Sequence, residues 1–320
     1  MAVSPEPPLR LSTVILPVHR WSQGGRQSWQ RAEELGFHTA YTYDHLSWRG
    51  FRDRTWFSAL PTLTAAATAT ERLRLGTLVT SPNFRHPVPL AKELLSLDDI
   101  SGGRLTLGIG AGGSGFDATV LGNDAWTPRE RADRFAEFLR LLDRLLSQGG
   151  SDGDPAAGAP GVSYRGDFYS AHEVRAHPGC TQRPRLPFTV AATGPRGMRL
   201  AAQHGQGWVT TGEPKSLGVD AGAAGYRAGL ARQLEQLDSV CEENGREPGS
   251  LHRVLLDSVD TPAGIGTLDS VDAFVEHAGN LVDLGFDELV VHWPAEDTVF
   301  ARDPETFERI ALEGLSQLKG

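Results

Sequence analysis

Residues 73–110 read LRLGTLVTSPNFRHPVPLAKELLSLDDISGGRLTLGIG. Two strand-like runs, LRLGTLVT (73–80) and RLTLGIG (104–110), enclose a stretch of helical spacing, which is the repeat unit of a parallel α/β fold. The same alternation extends in both directions. Further strand-like runs are LSTVILP (11–17), HTAYTYD (38–44), PFTVAA (187–192), GWVTT (207–211), HRVLLDSV (252–259) and ELVVHW (288–293), which makes eight in all. Parallel strands covered on both faces should read apolar throughout, as TVILP and ELVV do. Eight such units predict a single (β/α)8 TIM barrel spanning 1–320, with a doubly wound open sheet as the alternative, because closure is not written in a pattern.

Local signals support the units. Thr127 caps the helix that follows TPRE, Pro128 takes its first position and Glu130 completes a capping box, while Phe135, Phe138, Leu139, Leu142 and Leu145 supply its apolar stripe. Two helix-to-strand joints share one design, AEELGFHTAYT (32–42) and LVDLGFDELVV (281–291): a Gly ends each helix and the next Phe packs beneath the sheet. Residues 149–186 break the rhythm as an insertion between helix 4 and strand 5. It opens with GGSDGDPAAGAPG and continues as VSYRGDFYS, a small hairpin turning at Arg165 to Asp167. Lid and plain surface loop both remain open for it.

Bulk properties narrow the function classes. The chain has 320 residues, 39% hydrophobic and 22% charged, with a net charge of -9, a balance that gives no attraction for nucleic acid or anionic membranes. The most apolar helical stretch, LPTLTAAATA, is far short of the roughly 20 apolar residues that span a bilayer. Two cysteines, Cys180 and Cys241, and no signal-peptide pattern in the first ten residues lead to a cytoplasmic expectation.

In a barrel the chemistry gathers at the carboxyl ends of the strands. Those ends carry His19, the adjacent pair Asp44 and His45, Thr80 to Asn83, a glycine run, Thr193, Thr210 and Thr211, Asp257, and His292 with Trp293. His19, His45, Asp257 and His292 are ligand types for zinc, but no paired local motif accompanies them, so a metallohydrolase ranks below a cofactor enzyme and no metal is expected. Gly108, Gly110 and Gly113 match GxGxxG. The match follows the fourth strand rather than the first, and Asp133, near the spacing of the required acid, falls inside a helix, so it is not a dinucleotide fingerprint. The glycines still let the backbone approach a flat ring. AATGPRG (191–197) leads into a helix that Pro195 can start, a place suited to a phosphate or to a plain βα turn.

The combination of YDHL after strand 2, LGTLVTSPNFRHPVPLAKELLSLDDISGGRLTLGIGAGG, TPRERADRFAEFLRLL and PFTVAATGPRGMRLAAQHGQGWVT resembles the bacterial luciferase-like family of flavin- or deazaflavin-dependent oxidoreductases. The resemblance implies a barrel whose mouth holds coenzyme F420 or FMN. It implies His45 as the catalytic group beside the ring, and Asp44 as a cofactor contact or the residue that fixes the imidazole. The competing reading is Asp44 as a helix cap beside a surface His45. It further implies a cis peptide at Leu78-Val79 with Thr80 beside it, a Ser81 hydroxyl on the ring, and backbone contacts from Gly110, Gly112, Gly113, Ala191, Ala192, Thr193, Gly194 and Pro195 along the cofactor and its tail. Some deazaflavin dehydrogenases carry a Glu directly after the glycines; this chain has Gly113, which disfavours a sugar phosphate as substrate.

Three functions follow from this: an F420-dependent reductase or dehydrogenase, an FMN-dependent monooxygenase fed by a separate flavin or F420 reductase, and a flavin-binding barrel without turnover. A small-molecule substrate is expected near His45, Trp48 and Trp293, with Trp21, Trp56 and Phe57 as packing or pocket wall. Arg49, Arg52 and Arg54 are open between meeting an acidic cofactor tail and simple solvation. A homodimer is the expectation by resemblance.

Overall fold

The computed structural model of the chain describes residues 8–148, 160–214, 222–257 and 266–318. Its centre is a closed parallel barrel. The eight barrel strands are β1 (Arg10–Val14), β2 (Thr39–Thr42), β3 (Arg74–Thr80), β4 (Leu105–Ile109), β7 (Phe188–Ala191), β8 (Gly207–Thr210), β9 (His252–Leu256) and β10 (Glu288–His292). β1 pairs with both β2 and β10, so the sheet has no edge and the open doubly wound alternative is excluded. All eight sequence-read strands are present within a residue or a few of their expected limits, residues 258 and 259 lying outside the described residues.

The strands read apolar because each is buried on both sides. Along β9, Val254 and Leu256 join an inner cluster with Val14, Tyr41, Val209 and Val290, whereas Leu255 joins the outer layer between strands and helices. That two-residue alternation is what a pleated strand imposes. Around the barrel lie α1 (Arg26–Glu34), α2 (Ala59–Ala69), α3 (Pro87–Ile100), α4 (Pro128–Leu146), α5 (Pro195–His204), α6 (Gly222–Glu243), α7 (Val271–Leu284) and α8 (Pro304–Arg309).

The expected end signals operate as read. Thr127 and Glu130 form the reciprocal capping box of α4, with Pro128 at its first turn. Both Gly joints close in the same way: Gly36 and Gly285 take φ of 80° and 88°, and Phe37 and Phe286 donate backbone N–H bonds back to Ala32 and Leu281. Both phenylalanines are buried. The reuse seen in the sequence is a reused Schellman stop.

The insertion contains an antiparallel hairpin, β5 (Val162–Arg165) and β6 (Ser170–Val174); residues 149–159 lie outside the described residues. Its turn lies one step later than expected, over Gly166 to Tyr169, where the Gly166 N–H donates to the Tyr169 carbonyl. The reason is a long-range contact that local turn chemistry does not encode. Glu137 of α4, only 5% exposed, accepts the backbone N–H groups of Asp167, Phe168 and Tyr169 and so sets where the chain reverses.

Candidate functional site

The chain leaves β2 extended, so successive side chains diverge. Tyr43 and His45 share one side, with ring centroids 6.0 Å apart, and Asp44 takes the other. Asp44 is 1% exposed and is fully engaged: the Thr80 hydroxyl donates to Oδ2 at 2.8 Å, and Arg85 donates through Nε at 3.1 Å and Nη2 at 2.7 Å. Asp44 therefore does not fix the imidazole. It also caps no helix, which removes that reading.

The group that holds His45 is Asp117, in a helical turn after β4 (Phe116–Ala118). His45 Nδ1 lies 2.5 Å from Asp117 Oδ2, and the backbone N–H groups of Leu46 and Ser47 donate to Oδ1 at 3.0 and 3.4 Å. Trp56 Nε1 donates to the His45 carbonyl at 2.8 Å, and the Trp48 and Trp56 rings lie 6.4 Å from the imidazole. Sequence reasoning found neither Asp117 nor Arg85. Each stands in the connection between a strand and the next long helix, Arg85 after β3 and Asp117 in the short turn after β4, and that placement beyond a strand end was the only signal.

His45 borders a cavity of about 350 Å³ at the carboxyl ends of the strands. Leu78, Val79, Ser81, Gly110, Gly112, Gly113, Ala191, Ala192 and Thr193 line it as well, so most of the sequence-read cofactor residues meet in one place. Gly194 and Pro195 lie in an adjoining cavity of about 670 Å³ that shares Ala111, Ala191, Ala192 and Thr193 with the first. Asp44 and Thr80 line neither; they are buried behind the wall. The Leu78-Val79 peptide is cis, and the pairing of β3 with β4 shifts register between Thr77 and Thr80.

Glycine and alanine form much of the wall, and the glycines have little room for a side chain at two of their three positions. A Cβ on Gly110 would sit 3.0 Å from Val79 Cγ2, while one on Gly113 would meet only the Gly115 nitrogen, in ordinary contact at 3.9 Å. Gly112, at φ 75°, passes so close to Asn83 that a Cβ would lie 2.6 Å from its Oδ1. Val79, the glycine strip and Ala191 border a slot whose walls leave the backbone open to close approach by a flat group. Beyond the slot, Arg140, Arg196 and Arg199 line the second cavity beside the N-terminus of α5, a setting for the anionic end of a long ligand. These arginines were not singled out in the sequence. Arg49 and Arg52 instead lie over the Trp48 and Phe116 rings, and Arg54 donates to the Asp297 carbonyl, so all three serve the rim.

The other strand-end candidates separate. His19, Trp21 and Phe57 line a distinct cavity of about 360 Å³ with Trp29 and Pro61, between α1 and α2. His292 is buried with Nε2 2.7 Å from the Tyr43 hydroxyl and its ring stacked on Phe300; burial pushes its pKa down to about 3. Asp257 lies 3.8 Å from His277. No three described His, Cys, Asp or Glu side chains are grouped to hold a metal ion. Trp293 is a correction: it packs on Phe37 and Phe307 in the outer layer, because it follows His292 and the strand alternates. Trp48 does stand by His45, within an aromatic cluster of Tyr43, Phe51, Trp56 and Phe300.

Comparisons with known proteins bear on the family and the fold. The family model described as luciferase-like monooxygenase matches residues 23–259. The F420-dependent glucose-6-phosphate dehydrogenase of Intrasporangium calvum is 31% identical over 330 aligned positions, covering 90% of this chain and 93% of that enzyme. Among solved structures, an F420-dependent secondary alcohol dehydrogenase, determined with an F420-acetone adduct, superposes with a TM-score of 0.75 at 14% identity, over 98% of this chain and 99% of that one. A monooxygenase from Streptomyces bottropensis does so with a TM-score of 0.71 at 21% identity, over 97% and 98%. At those identities the two structures speak for the fold alone.

Proposed function

The chain belongs to the luciferase-like monooxygenase family, and from that premise we propose that it is an F420-dependent reductase or dehydrogenase acting on a small, partly apolar organic substrate. The observation that carries the proposal is the placement of His45 on the wall of the glycine-lined slot, with the arginine-lined cavity adjoining it across Ala111, Ala191, Ala192 and Thr193. Coenzyme F420 combines a flat ring with a long anionic tail, and the two cavities offer one feature for each. When bound, the deazaflavin supplies a ring carbon that accepts or releases hydride.

The chain's own residues do the rest. Leu78, Val79, Ser81, Gly110, Gly112 and Gly113 hold the ring; Ala191 to Pro195, with Arg140, Arg196 and Arg199, hold the tail. In the oxidising direction, a substrate C–H hydrogen leaves with its electron pair, the hydroxyl proton passes to Nε2 of His45, and a carbonyl forms. In the reducing direction His45 returns that proton. Asp44 acts at a distance, bracing the β2 and β3 loops through Arg85 and Thr80. The Trp48, Trp56 and Phe51 cluster packs an apolar wall behind the His45 imidazole, with Trp48 and Trp56 6.4 Å from it.

Relatives include F420-dependent glucose-6-phosphate dehydrogenases; the family resemblance implies a Glu directly after the glycines in some deazaflavin dehydrogenases, this chain has Gly113 there, and this argues for a different substrate. The second reading is an FMN-dependent monooxygenase served by a separate reductase, favoured by the same helix N-terminus, which suits a single phosphate equally well. A homodimer in the cytoplasm completes the proposal.

Titration of the purified chain with oxidised F420 and with FMN, read by fluorescence at matched ionic strength, decides between the two. The expected result is F420 binding at least about tenfold tighter, with His45→Ala binding F420 but no longer reducing or oxidising it. Preference for FMN transfers the assignment to the monooxygenase, and binding of neither removes both.

A further inference from the structure

We propose that Asp117 is the positioning residue of His45, fixing the imidazole as the tautomer that carries its hydrogen on Nδ1 and leaves Nε2 bare. A carboxylate only accepts, so the hydrogen in the 2.5 Å contact between Nδ1 and Asp117 Oδ2 belongs to the ring. A neutral imidazole has one such hydrogen. Once it is committed to Nδ1, Nε2 keeps its lone pair, and among the described residues Nε2 has no hydrogen-bond partner.

The carboxylate is itself immobilised. Its second oxygen receives the backbone N–H groups of Leu46 and Ser47, the two residues that follow His45, so Asp117 grips the loop it serves at three points. Asp117 is 4% exposed, and water competes little for its oxygens. The imidazole is flanked by Tyr43, Trp48 and Trp56, and this restricts rotation of the ring away from Asp117. A mobile histidine beside a cavity would present either nitrogen. This one presents a base.

The role of Nε2 in turnover rests on the function proposed above, but the tautomer is a property of the chain alone, and the experiment separates the two. Two-bond proton-nitrogen correlation spectra are recorded on the ¹⁵N-histidine-labelled full chain, with His45→Ala identifying the His45 signals. The wild type is expected to show a protonated Nδ1 and an unprotonated Nε2. In Asp117→Asn the amide oxygen can keep the two backbone donors while its NH2 faces Nδ1, so the pattern should invert to Nε2–H.

In turnover with F420 and a competent alcohol or carbonyl substrate, Asp117→Asn should lower kcat about 100-fold while F420 affinity and KM change less than about threefold, and Asp117→Glu should recover at least about tenfold of that loss. A wild-type spectrum with Nε2 protonated overturns the proposal. So does an Asp117→Asn variant whose tautomer and kcat match the wild type. Should the chain prove unreactive with F420, the function falls while the wild-type spectrum still decides the tautomer.

Discussion

Arg85 straddles Asp44, donating from Nε to Oδ2 at 3.1 Å and from Nη2 to Oδ1 at 2.7 Å, with the pair 13% and 1% exposed. The geometry is bidentate and nearly dry, so the buried Asp44 charge depends on Arg85, which also reaches Glu93 at 3.3 Å. Arg85→Ala leaves a buried carboxylate with only the Thr80 hydroxyl, and its expected cost is about 3–5 kcal/mol in urea unfolding. Asp44→Asn keeps an oxygen for Thr80 and leaves the less buried Arg85 with Glu93, 3.3 Å from its Nη1, so its loss should be smaller. Equal losses in the two variants would show that the pair does not brace the β2 and β3 loops.

What was legible in the sequence and what was not divides along a physical line. The barrel was legible because a strand buried on two faces must be apolar, and because stop signals such as Gly36-Phe37 and Gly285-Phe286 are local. His45 was legible as a polar group ending such a strand. Its partner was misread because adjacency in sequence looks like adjacency in space, whereas neighbouring residues on an extended chain face opposite ways. Asp44 thus went to Arg85 and His45 to Asp117. Loop-to-loop contacts of that kind depend on the path of irregular backbone, and one aspartate among 40 acidic residues carries no local mark of it.

The Glu137 contact gives a second prediction. Its carboxylate receives three consecutive backbone N–H groups at 2.7 to 3.2 Å, and the hairpin tip adds Trp126–Phe168 and Phe138–Tyr169 ring contacts. Glu137→Ala leaves those donors without an acceptor, at an expected cost on the order of 3 kcal/mol. The loss should be local to the hairpin. Trypsin should cut at exposed Arg165 faster in the variant than in the wild type, while F420 affinity holds. Unchanged cleavage would mean that the ring contacts alone hold the tip.

Two neighbouring glycines should respond differently to the same methyl group. Gly112→Ala meets both a φ of 75° and Asn83 Oδ1 at 2.6 Å, so it should destabilise the chain by about 1–2 kcal/mol and weaken cofactor binding. The Gly113 Cβ meets nothing nearer than the Gly115 nitrogen at 3.9 Å. Gly113→Ala should therefore leave the unfolding midpoint unchanged and report only on the slot, through F420 affinity. A loss of stability at 113 matching that at 112 would contradict the cavity as described.

His292 makes the stability of the chain depend on pH in a defined direction. Burial, with a smaller contribution from Arg302, outweighs a hydrogen bond to the Asp257 backbone and holds the imidazole at about 3, against 6.5 for an unperturbed histidine. Between those values the unfolded chain takes up a proton that the folded chain refuses. The stabilisation is therefore complete above pH 6.5 and declines as pH falls toward 3, by at most about 1.4 kcal/mol per pH unit from this group. His292→Gln has no proton to take up. Unfolding free energies for the two proteins at pH 7 and pH 5 should diverge, with the wild type losing about 2 kcal/mol more than the variant over that interval. Parallel losses would mean that His292 is charged in the folded chain, and its 2.7 Å contact with the Tyr43 hydroxyl would then run from ring to oxygen rather than from oxygen to ring.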